Sequence, residues 1–272
     1  MIFEDKDHLI LSGGGSKGWV LLGLLQSLKD QGHLKNLKAI SATSVGSLIA
    51  VIYISNNFEL YDTLMRRDVL SSEEIDITLL FEKFGFNDGM FIQNSVDFIL
   101  ETVYSVKDCT MKQFYELSGV ELYISSSNIT KGCLEYFNHR DTPDLSVGKA
   151  VRMSCTIPIF FTKIEYNGNF YADGGLMVSF AIHPFLDIDS KQILSIELLS
   201  TESFKYDKIV NIFEYLSNLI NCLLQANVSD RSKYDNILVE YNAPLLIMNQ
   251  TYEDRKLMYD FGYNYLKTTH AE

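Results

Sequence analysis

The run His8-Leu9-Ile10-Leu11-Ser12-Gly13-Gly14-Gly15-Ser16-Lys17-Gly18 decides the architecture. A short apolar segment ends abruptly in serine and three glycines, the pattern of a buried strand stopped by a loop. Directly after it, over 19–31, apolar residues recur at helical spacing, and Gly32 is placed to cap that helix. A second short strand is expected over 38–42. The stretch 46–55 that follows is apolar almost all round, as a helix buried against a sheet must be. Strand, glycine loop, helix, strand, sharp turn, helix is the order of an α/β fold with a mainly parallel sheet.

Outward from this start, 58–84 and 90–106 read as helical, punctuated by Asn87-Asp88-Gly89. Thr110 is a good N-cap for a short helix ending near Gly119, and a strand follows over 121–125. Another strand is expected over 134–137, then a hairpin over 164–171 that turns at Asn167-Gly168. The remaining expectations are a strand over 193–199, an amphipathic helix over 210–224, a strand over 245–248 and a closing helix over 254–266. Internal repeats and Pro/Gly/Ser-rich linkers are absent, so 1–272 is expected to form one domain.

Composition narrows the function. With 47% hydrophobic residues and four prolines the chain can bury a sizeable core. Its 23 basic and 35 acidic side chains give a net charge of −12, with no cluster of Lys or Arg to neutralise phosphates. Nucleic acid is therefore not an expected partner. The same charge opposes long-range attraction to an anionic membrane but leaves apolar contact with lipid open. Cys109, Cys133, Cys155 and Cys222 form no CxxC pair and have no His at metal-ligand spacing, so they read as reduced and mostly buried. The acidic N-terminus lacks the order of a secretory signal, and no stretch of about 18 apolar residues exists. A reducing cytosol is expected, that of the protein's own cell or of one it enters.

Three constellations carry chemistry. In the first, the consecutive glycines Gly13, Gly14 and Gly15 let backbone N–H groups converge at a helix N-terminus, where the helix dipole adds positive potential. Such a loop stabilises an anion. It lacks the P-loop spacing, and although Gly13, Gly15 and Gly18 fit GxGxxG, the ribose-binding acid expected about 20 residues on is missing. A tight turn without ligand is the plain alternative. In the second, Ala42-Thr43-Ser44-Val45-Gly46 is a variant of G-x-S-x-G, in which small residues flank a nucleophilic serine on a strained strand-to-helix turn. An ordinary N-cap serine is the competing reading. The third is Asp173-Gly174-Gly175 at the end of a strand, where an acid can serve as base to a serine hydroxyl or merely form a hairpin turn.

Taken together and in this order, the three resemble the patatin-like phospholipase family, whose members combine a G-G-G-x-K/R-G oxyanion loop, a G-x-S-x-G serine and a D-G-G/A aspartate. Gly13-Gly14-Gly15-Ser16-Lys17-Gly18 matches the first without a gap. Further similar stretches are Thr110-Met111-Lys112-Gln113-Phe114-Tyr115-Glu116, Leu122-Tyr123-Ile124-Ser125, the run from Ala150 through Arg152 to Phe161, and Phe261-Gly262-Tyr263-Asn264-Tyr265. Two departures stand out. Ala42 replaces a glycine, and the segment after Gly175 reads Val178-Ser179-Phe180-Ala181, reaching proline only at Pro184.

The resemblance implies a three-layer α/β/α fold and a lipid acyl hydrolase. Ser44 would be the nucleophile, Asp173 its base, and Gly13, Gly14 and Gly15 the oxyanion donors, with no metal or cofactor. Lys17, Gly18, Ala42, Gly46, Gly174 and Gly175 would support the motifs, Lys17 as a solvated or loop-tying cation. Phospholipid or another acyl lipid would be the substrate, met by peripheral contact with a membrane, with room for an activating protein partner that the sequence does not identify. Two alternatives compete: a catalytically silent lipid-binding or scaffold module on the same fold, and a triad esterase for small soluble esters using His183 or His139.

Overall fold

A computed structural model describes residues 3, 5–67, 76–199, 215, 218–219, 222, 233–243 and 250–269. The opening run folds as read: β1 (His8–Leu11) leads through the glycine loop into α1 (Gly18–Asp30), then β2 (Ala39–Thr43) and α2 (Val45–Ser55). Gly32 closes α1 at φ +82, with its N–H on Lys29 and that of His33 on Leu28, both at 2.9 Å. A left-handed residue at this point satisfies two of the orphan carbonyls of the last turn.

The chain continues through α3 (Phe58–Arg67), α4 (Ile77–Lys83), β3 (Gly85–Asn87), α5 (Met90–Tyr104), α6 (Met111–Ser118), β4 (Glu121–Asn128), β5 (Cys133–Phe137) and α7 (Val147–Ser154). After these come β6 (Ile159–Phe161), β7 (Ile164–Tyr166), β8 (Asn169–Asp173), β9 (Ile193–Leu199), β10 (Asp235–Glu240) and α8 (Tyr252–Thr269). The main sheet runs β10-β9-β1-β2-β4-β8-β7, with β5 also on β4. From β10 to β4 all pairs are parallel; β5, β8 and β7 add antiparallel pairs. This is a mainly parallel central sheet flanked by helices, the α/β fold expected.

Alternation along the strands fills two cores. Leu9 and Leu11 join Ile40, Leu122 and Ile196 beneath α1, α2, α5, α7 and α8, whereas Ile10 points to the other face and meets Phe180 and Phe185. On α1, Trp19, Leu21, Leu22, Leu24 and Leu25 are fully buried. At about 1.5–3 kcal/mol each, such side chains supply the main force that holds α1 to the sheet.

Helices α1 and α8 cross backbone to backbone. A Cβ on Gly23 would lie 2.0 Å from the Tyr259 carbonyl oxygen, and one on Gly262 would lie 2.0 Å from that of Val20. Alanine normally stabilises a helix interior relative to glycine, so here local propensity and packing oppose each other. Packing should win: Gly23→Ala is expected to cost about 1–3 kcal/mol and lower the thermal midpoint by several degrees. A midpoint equal to or above wild type in thermal unfolding would contradict the crossing.

Some expectations need correction. The 58–84 region is not one helix: α3 is described over Phe58–Arg67, and Asp76 caps a separate α4 by accepting the Thr78 N–H at 2.8 Å. Phe84 then turns left-handed and Gly85 enters β3, where a Cβ would meet the Phe161 backbone at 2.2 Å. The tiny β3–β6 sheet and the edge strand β10 were not anticipated. Cysteines divide evenly, Cys109 and Cys155 buried but Cys133 and Cys222 exposed, and all four are free. Cys133 opens β5 just after a left-handed Gly132, at the sheet periphery. The helix expected over 210–224 falls almost wholly outside the described residues, and the strand over 245–248 entirely so.

Candidate active site

Sheet register brings the three motifs to one edge. Leu11 pairs with Ala42 and Thr43 with Ser125, so the chain leaves β1 as the glycine loop and leaves β2 as Ser44 side by side. In parallel sheets this carboxyl edge is where sites form. Antiparallel β8 runs along β4 until Asp173 stands opposite Ser126, one residue beyond the partner of Thr43.

Ser44 occupies the sharp turn itself, with φ +52 and ψ −131. A non-glycine residue in that region costs on the order of 1–3 kcal/mol, so the surroundings must hold it. Gly46 makes the turn feasible, because a Cβ there would lie 2.5 Å from the Ser12 carbonyl oxygen. Ala42, fully buried, keeps its place in the register with Leu11 and Ile124. Its methyl group joins the helix-side core, so the extra Cβ is accommodated away from the turn.

The Ser44 hydroxyl donates to Asp173 Oδ2 at 2.5 Å, and both residues are buried. Asp173 Oδ1 accepts the Gly175 N–H at 2.7 Å, and the Asp173 N–H reaches the Thr156 carbonyl at 2.8 Å. Burial pushes the Asp173 carboxyl up to about 6, against the lowering effect of the hydrogen bonds from the Ser44 hydroxyl and the Gly175 N–H. It remains ionised above neutral pH and is a stronger base than an exposed aspartate. Gly174 is required here, since a Cβ would come within 2.5 Å of Ser125 Oγ. Asp173 thus opens a 3-10 turn, Gly174–Leu176, rather than a hairpin.

The glycine loop lies against the serine. A Cβ on Gly13 would be 3.1 Å from Ser44 Cβ and 3.8 Å from its hydroxyl oxygen, while one on Gly14 would strike the Leu198 side chain at 2.4 Å. Among the described residues no backbone acceptor takes the N–H of Gly13 or Gly14. Gly15, at φ +57, starts the 3-10 turn that leads into α1. Ser12 anchors the loop to β9: its N–H reaches the Ile196 carbonyl at 3.1 Å and its hydroxyl accepts the Leu198 N–H at 2.9 Å. Lys17 is not solvated but 1% exposed, with its ammonium 3.5 Å from the Leu199 carbonyl oxygen, and burial lowers its pKa to about 8. Of its two expected roles, tying the loop fits.

One residue that the sequence did not single out holds the strained peptide. Ser154, the last residue of α7, accepts the Ser44 N–H through Oγ at 2.9 Å and donates to the Ser125 carbonyl at 2.6 Å. Thr43 and Ser125 share a further hydroxyl bond at 2.8 Å. Ser154→Ala strands a buried N–H, so urea unfolding should report a loss of about 1–3 kcal/mol. An unchanged urea midpoint would show that the bond holds nothing. The two histidines of the triad alternative bind other partners: His183 Nδ1 pairs with the Tyr136 hydroxyl at 3.2 Å, and His139 stacks on Tyr115 at 3.9 Å between ring centroids.

The sequence model of patatin-like phospholipases matches residues 9–186, a stretch that includes the glycine loop, Ser44 and Asp173. The chain belongs to the patatin-like phospholipase family. Among curated relatives, a probable lipid hydrolase of Invertebrate iridescent virus 6 is 32% identical over 181 residues, covering 64% of this chain and 61% of that protein. An uncharacterized protein of Acanthamoeba polyphaga mimivirus is 30% identical, covering 68% of this chain and 63% of its own. The match therefore spans about three fifths of each relative's length. Among solved structures, VipD from Legionella pneumophila superposes with a TM-score of 0.67 at 18% identity, over 97% of this chain and 66% of that one. That likeness concerns the fold.

Proposed function

We propose that the protein is a lipid acyl hydrolase that cleaves fatty-acyl esters of phospholipids or related lipids through a Ser44–Asp173 dyad. The observation that carries this reading is the 2.5 Å bond from the Ser44 hydroxyl to Asp173, made with the serine in a strained turn beside the glycine loop. Ser44 Oγ attacks the ester carbonyl while its proton passes to Asp173. The N–H groups of Gly13, Gly14 and Gly15 receive the resulting oxyanion; donors of this kind are worth ~2.7–4 kcal/mol each. Collapse expels the alcohol, which takes the proton from Asp173, and leaves an acyl-serine. Water then attacks, again losing its proton to Asp173; collapse breaks the acyl–oxygen bond, Ser44 Oγ takes that proton back from Asp173, and the fatty acid leaves.

This scheme uses only groups of the chain. Fatty acid should therefore be released from phosphatidylcholine vesicles in the presence of a chelator at the same rate as without it. Loss of release on chelation would overturn the metal-free scheme. The site is proposed to work in a cytosol, meeting lipid peripherally; among the described residues no helix is long and apolar enough to cross a membrane. With a net charge of −12, vesicle binding should rest on apolar contact and weaken little as salt rises. The activating protein partner left open by the resemblance has no assigned surface.

A further inference from the structure

Helix α4 has the spacing of a core helix but does not face a core. Ile77, Leu80, Phe81 and the cap residue Phe84 stand at i, i+3, i+4 and i+7, an apolar stripe that in an α/β fold normally packs on the sheet. Here Ile77 is 63% exposed, Phe81 79% and Phe84 60%, and α4 has no buried residue. Among the described residues no large apolar side chain is more exposed than Phe81. Single exposed apolar residues need no explanation, but a row of them on one helix marks a contact surface.

Backbone bonds fasten this helix beside the dyad. The Asp76 N–H reaches the Phe86 carbonyl at 2.7 Å, the Lys163 N–H that of Lys83 at 3.1 Å and the Thr162 N–H that of Asn87 at 2.8 Å, so α4, β3 and β6 form one corner. Strand β6 opens three residues after Thr156, whose carbonyl holds the Asp173 N–H. Its first residue therefore lies within about 11 Å of the Thr156 backbone. Ile159, Phe160 and Phe161 make up that strand and are all half-buried. An apolar strand thus joins the neighbourhood of Asp173 to the exposed stripe.

We infer that α4 docks on a zwitterionic lipid surface, with Ile77, Phe81 and Phe84 entering the acyl layer at the corner that adjoins Ser44 and Asp173. The identity of the occupant rests on the acyl-hydrolase reading, whose substrate resides in such a surface; the stripe names where the two meet. Charge at the rim selects the kind of lipid. Asp76, Glu82 and the net charge of −12 oppose an anionic surface. Lys83 and Lys163 flank Phe84, and the Lys163 ammonium lies 4.3 Å from the centre of the Phe84 ring. Their stems can follow the apolar side chains while the ammonium groups stay at the depth of head-group phosphates. A lipid layer also accepts a row of projecting side chains without a matching shape.

Flotation of the full chain carrying Ser44→Ala with dioleoyl-phosphatidylcholine vesicles reads docking without turnover. In that background Ile77→Ser/Phe81→Ser should lower the partition coefficient about tenfold or more. Leu257→Ser, which removes a side chain 64% exposed on α8, should leave it unchanged. All three side chains are exposed, so thermal midpoints should stay near that of the parent. With Ser44 restored, the double variant should raise KM for the vesicles about tenfold and leave kcat/KM for monomeric p-nitrophenyl butyrate as in wild type. Loss of docking in a protein that releases no fatty acid would sink the hydrolase reading and support the docking surface. Equal docking by parent and double variant, with release intact, would overturn the docking surface alone. Binding that requires phosphatidylserine and disappears at high salt would also overturn it, as would a wild-type dimer that the double variant dissociates in sedimentation.

Discussion

Replacing Ser44 by Ala is expected to lower kcat for lipid-ester hydrolysis by about 10⁴- to 10⁶-fold, the scale seen when a nucleophile is removed from a preorganised site. The variant keeps the Ser44 N–H bond to Ser154 and loses only the hydroxyl that meets Asp173. Folding should therefore be intact, and vesicle binding unchanged. A fluorophosphonate probe should label wild type at one equivalent and the variant not at all. Equal fatty-acid release by the two proteins would sink the dyad, and release that persists together with lost labelling would place the nucleophile elsewhere.

Asp173→Asn should lower kcat by about 10³- to 10⁴-fold through loss of the base, and should also make the protein more stable at neutral pH. The sign follows from the raised pKa. Between the unfolded value of 3.8 and the folded value of about 6, the native state binds more protons than the unfolded chain, so stability falls as pH rises through this window. Above it, the ionised buried carboxylate costs up to about 3 kcal/mol relative to a neutral group. Asparagine removes that cost and can still accept the Gly175 N–H. The thermal midpoint of Asp173→Asn should accordingly exceed that of wild type at pH 8, and the gap should close near pH 4. The same ionisation governs turnover: kcat/KM of wild type should rise with pH through about 6 and level off above 7. A flat pH profile, or a midpoint for Asp173→Asn below wild type at pH 8, would contradict the buried-base account.

The motif residues were readable in the sequence because backbone contact restricts what can stand there. Gly46 and Gly174 each face a carbonyl or hydroxyl oxygen 2.5 Å from where a Cβ would be, so the letters themselves record the close approach. The departures from the family pattern had to await the structure. Ala42 fits because its methyl group points into the core, and the altered segment after Gly175 covers the sheet, with Phe180 and Ala181 fully buried and the Ala181 carbonyl accepting Ser41 Oγ at 2.6 Å. Ser154 and Ser125 lay within stretches similar to the family, but a lone serine carries no periodic signal and their role arises only when α7 and β4 converge on the elbow. The strands β3 and β6 are three residues each and exist through their pairing with one another, which local propensity cannot report. In β10, Ile237 and Val239 point inward and Leu238 outward, a period-two pattern that was present but short.

Gly14 packs on Leu198, and Leu198 belongs to β9, beyond the last residue of the family match. The loop beside the nucleophile thus rests on a floor supplied by a part of the chain that carries no signature. A fragment trimmed at residue 186 would retain every recognisable letter of the motifs yet lose β9, β10 and α8, leaving β1 as a bare sheet edge and α1 without its crossing partner. The smallest working unit of this protein is set by mechanical support rather than by the span of its signature.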